Sequence, residues 1–449
     1  MIIITVIFMT SLPPKQKHDH HTLKFPDNFL WGAATSAYQV EGNNSYSDWW
    51  DWEVQGKLPA SGIACDQYNR FEQDFDLVKN LNHNAHRLSI EWSRIEPKDG
   101  EFDHHEIEHY IKLLKVLKSL KITVMLTLWH FTLPKWVADI GGWENGQTVK
   151  YFERFVKRIA PELGEFVDMW VTLNEPGVYV YQGFVERVWP PAKKSFFGQV
   201  KTILNFASAH KRVYKYLHKA FPKKEVGIAN NVQSFESYHK HSVAEQVAVI
   251  ITDIITNHLF YFLTRGAHDF LGLNYYFHVR FKQGEGLMPE VTAASNESRD
   301  VSDLGWEIYP EGLFGVLEDL SDDLPIYITE CGIASTNDDR RNRFLITYLH
   351  EVYRAIKSGI NVKGFFYWSL IDNYEWHRGF EPRFGLIEVD YKTLERRIRP
   401  SALVYTDIIQ HNGIPHSLLR FIGHTVQAED VLEKRYREIS KEIKESQKN

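Results

Sequence analysis

Eight short runs along the chain combine apolar character with β-branched or aromatic residues, the pattern of strands. They are Phe29–Val40, Ala85–Trp92, Ile122–His130, Met169–Asn174, Glu225–Val232, Asp269–Tyr276, Pro325–Glu330 and Val362–Ile371. Most are continuously apolar rather than alternating, as parallel strands are when helices cover the sheet. Between several of them apolar residues recur at helical spacing. Ile107, Tyr110, Ile111, Leu114 and Leu117 form one stripe; Phe344, Leu345, Tyr348, Leu349 and Val352 form another. Strand alternating with helix implies an α/β protein. Eight strands without an internal break favour closure, so the expected fold is a single (β/α)8 TIM barrel. The 449 residues exceed the roughly 250 of a typical barrel, so long βα loops are expected.

No linker or repeat divides Leu23 to Leu419. The expected organisation is a flexible segment over 1–22, one barrel over 23–424, and a charged helix or tail over 425–449. In that tail Val431, Leu432, Tyr436, Ile439 and Ile443 fall at helical spacing. The run Ile2–Met9 is apolar but lacks a basic flank and an A-x-A-like cleavage site, and is too short to span a bilayer.

Composition narrows the function. The 52 Lys+Arg against 58 Asp+Glu leave a net charge of −6, with no basic excess to neutralise phosphates. Nucleic acid is therefore not an expected partner, nor is a membrane. Two cysteines, Cys65 and Cys331, cannot form a disulfide framework and suit a reducing, cytoplasmic setting. Aromatic residues make up 14%; most are expected in the core, the rest stacking on sugar rings.

The strand ends carry the chemistry. Glu91 and Arg94 follow the second run, His130 ends the third, and Asn174 and Glu175 end the fourth. Asn274 and Tyr276 end the sixth and Glu330 the seventh, and Trp368 and Asp372 lie at the eighth. Buried polar groups are costly unless paired, and a site at the C-terminal face of a barrel explains them together. Glu175 lies in TLNEP (Thr172–Pro176) and Glu330 in ITECG (Ile328–Gly332). Two carboxylates meeting from different strands suit glycosidic-bond cleavage.

Ten segments in order resemble glycoside hydrolase family 1, the retaining β-glucosidase and β-galactosidase family. Among them are FPDNFLWGAATSAYQVEG, RLSIEWSRIEP at Arg87–Pro97, LWHFTLPKW at Leu128–Trp136, TLNEP, FLGLNYY at Phe270–Tyr276, ITECG and WSLIDNYEW at Trp368–Trp376. The match runs from about Phe25 to about Gly413. The resemblance implies Glu175 as acid/base and Glu330 as nucleophile, with Arg87, Asn274 and Tyr276 around Glu330. It implies that Asn174 contacts the sugar 2-hydroxyl, that Gln39, His130, Glu375 and Trp376 bind the other hydroxyls, that Trp368 forms the platform, and that Trp306 lines the leaving-group side. The implied substrates are small β-glycosides or oligosaccharides ending in glucose, galactose or fucose, with no metal and no cofactor. A homo-oligomer is left open. Cys331 stands where many relatives have Asn, Gly177 stands where many have a larger residue, and Tyr261–Asp269 looks short.

Three rival readings fit parts of the same sequence. HEIEH at His105–His109 matches a zinc-protease signature, but Asp103 and Glu106 read as a helix cap and its partner, and the apolar stripe leaves both histidines facing solvent. A non-catalytic sugar-binding barrel would be favoured had either carboxylate been replaced. A 6-phosphoglycosidase is disfavoured because the bulky Trp376 would crowd a phosphate, although His377 and Arg378 are cationic.

Overall fold

A computed structural model describes residues 22–283, 289–290, 300–321 and 324–422. The expected N-terminal segment and C-terminal charged helix lie outside these residues. Eight parallel strands form the barrel: β1 Leu30–Ala34, β2 Ala85–Ser89, β3 Thr123–Thr127, β4 Met169–Asn174, β5 Glu225–Ser237, β6 Phe270–Gln283, β7 Ile326–Cys331 and β8 Val362–Trp368. Each neighbours the next in sequence, β8 pairs with β1, and β5 with β6 completes the ring. One principal helix follows each strand: α1 Gln67–Asn80, α2 His104–Ser119, α3 Gln147–Leu163, α4 Phe196–Ala220, α5 Val243–Asp253, α6 Pro310–Asp319, α7 Asp338–Lys357 and α8 Pro400–His411. The expected (β/α)8 barrel is thus observed.

The core has two layers. Between strands and helices lies a large cluster that includes Leu88, Leu126, Leu173, Ile228, Leu273 and Ile328, together with the α2 stripe residues Ile107, Tyr110, Leu114 and Leu117 and the α7 stripe. Inside the barrel Ala85, Met125, Met169, Val171, Ala229, Phe270, Tyr327 and Phe366 form a second cluster. Small alanines facing large aromatics fill the taper of a closed barrel.

Several strand boundaries differ from expectation. The first run stops at Ala34; Ala37–Glu41 is a helix carrying Gln39. A short buried apolar run does not distinguish strand from helix by periodicity alone. The second run ends at Ser89, and Trp92 begins a short helix whose N-cap is Glu91, accepting from the Ser93 amide. The third ends at Thr127 and the eighth at Trp368. Conversely, β5 and β6 run on past the barrel rim as a paired ribbon, to Ser237 opposite Phe281.

The HEIEH helix is α2. Asp103 caps it, accepting from the amides of His105 (2.8 Å) and Glu106 (3.4 Å). Glu106 does not close the cap; its carboxylate accepts from the Tyr68 hydroxyl at 3.1 Å. His109 is not solvent-facing as expected. It stacks on Tyr68 with centroids 3.8 Å apart, and burial lowers its pKa to about 4. With His105 exposed and His109 held in a ring stack, the two imidazoles do not converge on a metal.

Candidate active site

Local backbone irregularities aim the two carboxylates inward. Along β4, Met169 and Val171 face the barrel interior. Strict alternation would send Leu173 inward next and Asn174 outward. A register shift between Val171 and Asn174 reverses this. Leu173 packs in the outer cluster, Thr172 contacts His210 at 2.6 Å, and Asn174 turns inward. Glu175 then adopts φ 44°, ψ 60°, and Pro176 opens a short helix. The αR region is disfavoured before proline, and the Glu175 amide is tied to Ala229 O at 2.8 Å. Along β7, Tyr327 faces inward. A second shift, between Leu273 and Asn274 of β6, places Glu330 opposite Asn274 and leaves Cys331 buried in the outer cluster. Gly332 is required next: a Cβ there would lie 1.8 Å from Trp368 O.

These carboxylates share one hydrogen-bond network. Arg87 pairs with Glu330, donates to Asn174 Oδ1 at 2.6 Å, and is braced by Thr127 Oγ1 at 3.2 Å. Tyr276 OH donates to Glu330 Oε2 at 2.8 Å. Asn274 Nδ2 donates to Glu175 Oε1 at 2.8 Å, and its carbonyl accepts from Thr329 Oγ1 at 2.6 Å. Asn274 Nδ2 also donates to Asn174 Oδ1 at 3.2 Å, and Asn274 stands opposite Glu330 in the β6–β7 pairing. All these groups are buried except Tyr276, which is half-buried.

The environments separate the two acids. Burial first, and the Glu330 charge second, push the Glu175 pKa up to about 8, against the Asn274 hydrogen bond. Burial also raises Glu330, but Arg87 and the Tyr276 hydroxyl oppose it. A cation and a hydroxyl on one carboxyl, and neutral amides on the other, favour ionisation of Glu330 before Glu175.

The remaining expected residues surround this pair. Gln39 Nε2 donates to Asn373 Oδ1 (2.9 Å), to Tyr374 O (2.8 Å) and to Glu375 Oε2 (3.3 Å). Burial followed by the Glu330 charge raises Glu375 to about 8. His130 Nε2 lies 3.2 Å from Asn174 Nδ2, and burial lowers its pKa well below the usual imidazole value, keeping it neutral. Its Nδ1 is buried without a partner among the described residues, so the amide orientation leaves that N–H for a ligand. The ring stacks towards Trp368 (21°) and Trp376 (14°), each with centroids 6.0 Å away. Trp306 is half-buried, 4.5 Å from Phe277 and 6.0 Å from Tyr276. Phe131, Glu175 and Trp376 all have positive φ; strained backbone of this kind clusters at functional sites.

Other strand-end polar residues serve the loops. Glu91 accepts from Ser93 and Thr132, Arg94 pairs with Glu41, and Asp372 pairs with Arg383 and Arg399. Asn231 escaped the sequence reading. It favours the ionised form of Glu175, and its Oδ1 accepts from Gln233 Nε2 at 2.8 Å. The adjacent Asn230 and Asn231 near the end of the fifth run were its available signal.

The chain is similar along most of its length to known proteins. The family model described as Glycosyl hydrolase family 1 matches residues 21–262 and 237–414. A "Beta-galactosidase" of Sulfolobus acidocaldarius is 31% identical over 483 aligned residues, spanning 88% of this chain and 97% of the relative. The solved "beta-glycosidase from Pyrococcus horikoshii" superposes with a TM-score of 0.85 at 37% identity, covering 90% of this chain and all of that one. A β-glucosidase of Thermotoga maritima, solved with glucoimidazole, gives 0.82 at 28% identity, covering 87% and 100%. A barrel with two buried carboxylates at its C-terminal rim, matched along nearly its whole described length, places this chain in glycosyl hydrolase family 1, as an O-glycoside hydrolase that cleaves β-glycosides.

Proposed function

We propose that the enzyme releases terminal non-reducing β-linked glucose, and also galactose or fucose, by double displacement, with Glu330 as nucleophile and Glu175 as acid/base. The asymmetry of the pair carries this reading. Arg87 and Tyr276 stabilise an anionic Glu330, while Glu175 is kept protonated by burial beside that charge. Asn274, which donates to Glu175 at 2.8 Å, stands directly opposite Glu330 in the β6–β7 pairing, so the two carboxyls belong to one buried network. A retaining enzyme sets its two carboxyls roughly 5–5.5 Å apart and an inverting one roughly 6.5–9.5 Å; this pair is assigned to the first class. Glu330 attacks the anomeric carbon as the glycosidic bond breaks and the Glu175 proton passes to the leaving oxygen. Glu175 then takes a proton from water, which attacks the same carbon and frees Glu330.

Around that reaction Asn174 contacts the 2-hydroxyl, and Gln39, His130, Glu375 and Trp376 hold the other hydroxyls. Trp368 supplies the platform, and Trp306 the leaving-group side. Unphosphorylated sugars are favoured, because one expected phosphate cation is engaged by a tryptophan and the other is exposed to solvent. His377 Nδ1 accepts from Trp189 Nε1 at 2.8 Å, and Arg378 is exposed. The chemistry calls for neither metal nor cofactor. A cytoplasmic setting is supported by two buried, unpaired thiols.

A 2-fluoro β-glycoside is expected to label Glu330, and Glu330→Gln to lose several orders of magnitude in kcat. Azide is expected to rescue Glu175→Ala with a β-glycosyl azide as product. Labelling at another residue, or an α-azide, refutes the assignment. A panel of aryl β-glycosides with and without 6-phosphate checks the sugar; a better kcat/KM for the 6-phosphate refutes that part.

A further inference from the structure

The outer wall following β5 is unlike the rest of the barrel. From α5 the chain continues helically through Ile254–His258 and Leu259–Leu263. Over Val243–Leu263 the mean hydropathy reaches 1.4. One face packs against the barrel, with Glu245 and Asn257 buried. The other face exposes Val243, Val247, Ile250, Ile251, Ile254 and Ile255 as a continuous stripe, with Phe262 beyond it. The adjacent α4 adds Phe196, Phe197, Val200 and Leu204, of which Phe197 is 77% exposed. Between the helices lies an open groove of about 420 Å³, lined by Leu204, Ala207, Leu263, Lys211, Arg212 and Lys215. Exposed apolar area of this extent marks an interaction surface.

Charge identifies the partner. The chain has a net charge of −6, yet residues 187–224 hold ten Lys/Arg and no Asp/Glu. Lys201, Lys211 and Lys215 are exposed and have no carboxylate partner among the described residues. Apolar side chains flanked by unpaired lysines suit the headgroup boundary of an anionic bilayer. A second copy fits less well, because a two-fold interface would set this cationic patch against itself. Nor is the helix a span: its buried face belongs to the barrel wall, and freeing it would strip Glu245 and Asn257 of their contacts. At 21 residues the helical segment offers an apolar stripe about 30 Å long.

We propose that the enzyme is a peripheral membrane protein that docks through the exposed faces of α4 and the Val243–Leu263 segment on anionic lipid. This departs from the sequence expectation of no membrane partner. The test is flotation of the full-length enzyme with vesicles of phosphatidylcholine alone or mixed with phosphatidylglycerol. Two double variants accompany it, Ile250→Glu/Ile254→Glu and Lys211→Glu/Lys215→Glu, all at positions remote from the catalytic network. Both variants are expected to keep full activity on a soluble aryl glycoside, which reports folding.

The wild type is expected to float with the anionic vesicles, to be released by salt, and to stay behind with phosphatidylcholine alone. At about 1 kcal/mol per lysine near the surface, the lysine variant is expected to partition at least about 30-fold more weakly. The isoleucine variant is expected to lose binding at all salt concentrations. Failure of the wild type to float at low salt, or undiminished flotation of either variant, overturns the proposal. So does sedimentation showing a wild-type dimer that the isoleucine variant disperses, which would assign the face to a second copy.

Discussion

Neutralising Glu330 tests whether the two acids sense one another, which the proposed chemistry requires. Burial first, and the Glu330 charge second, push Glu175 from the ordinary 4.5 up to about 8. At the roughly 5.5 Å separation that the retaining assignment requires and an effective dielectric of about 20, the repulsion between the two carboxylates is about 3 kcal/mol. At 1.36 kcal/mol per pH unit that is about two units. Removing it in Glu330→Gln is expected to bring Glu175 from about 8 to about 6, still above the ordinary value because burial remains. The residue can be followed by difference infrared spectroscopy of the protonated carboxyl, using Glu175→Gln to assign the band. The trapped 2-fluoroglycosyl enzyme neutralises Glu330 differently and is expected to move Glu175 in the same direction. In the wild type, kcat/KM is expected to fall as pH rises through about 8, where the acid loses its proton. An unchanged Glu175 titration in Glu330→Gln would show that the two charges are not coupled, and the double-displacement assignment would fail with it.

Three further outcomes follow from the packing. Burial depresses His83 to about 3, so its contribution to stability is complete above its unfolded value near 6.5 and is lost as pH falls from there to about 3, at up to about 1.4 kcal/mol per pH unit; denaturant titrations of His83→Phe are expected to show a shallower acid loss than wild type, and an equal slope refutes this. Asp372 is fully buried between Arg383 and Arg399, so Asp372→Ala is expected to destabilise by about 3–5 kcal/mol, read as a lowered Tm; a change below about 1 kcal/mol would mean that the pair is not desolvated. Both cysteines are buried and burial pushes their thiols up, so a thiol reagent is expected to find no reactive group in the native enzyme and two after unfolding, with activity retained; rapid native labelling of Cys331 with loss of activity contradicts that.

Much of the molecule was legible from local pattern. Eight strand runs and two helix stripes are visible because burial imposes apolar periodicity on any sequence that forms them. TLNEP and ITECG located the carboxylates because polar groups at strand ends demand an explanation. Asp103 was readable as a cap because a cap is a local hydrogen bond. Other features are set by partners distant in sequence. His109 is held by Tyr68, and Arg94 by Glu41. Asn231 reaches Glu175 only because β5 lies beside β4.

The direction of the catalytic side chains was decided the same way. Alternation counted along β4 and β7 points Asn174 and Glu330 away from the barrel axis, since Val171 and Tyr327 already face it. The register shifts that turn them inward exist only between paired strands. The sequence alone therefore determined which residues carry the chemistry and on which strands they sit, because residue type and strand ends are local properties. Only the closed barrel decided that they face one another, and that burial beside a single arginine makes two identical side chains unequal, because register and desolvation arise when distant segments pack.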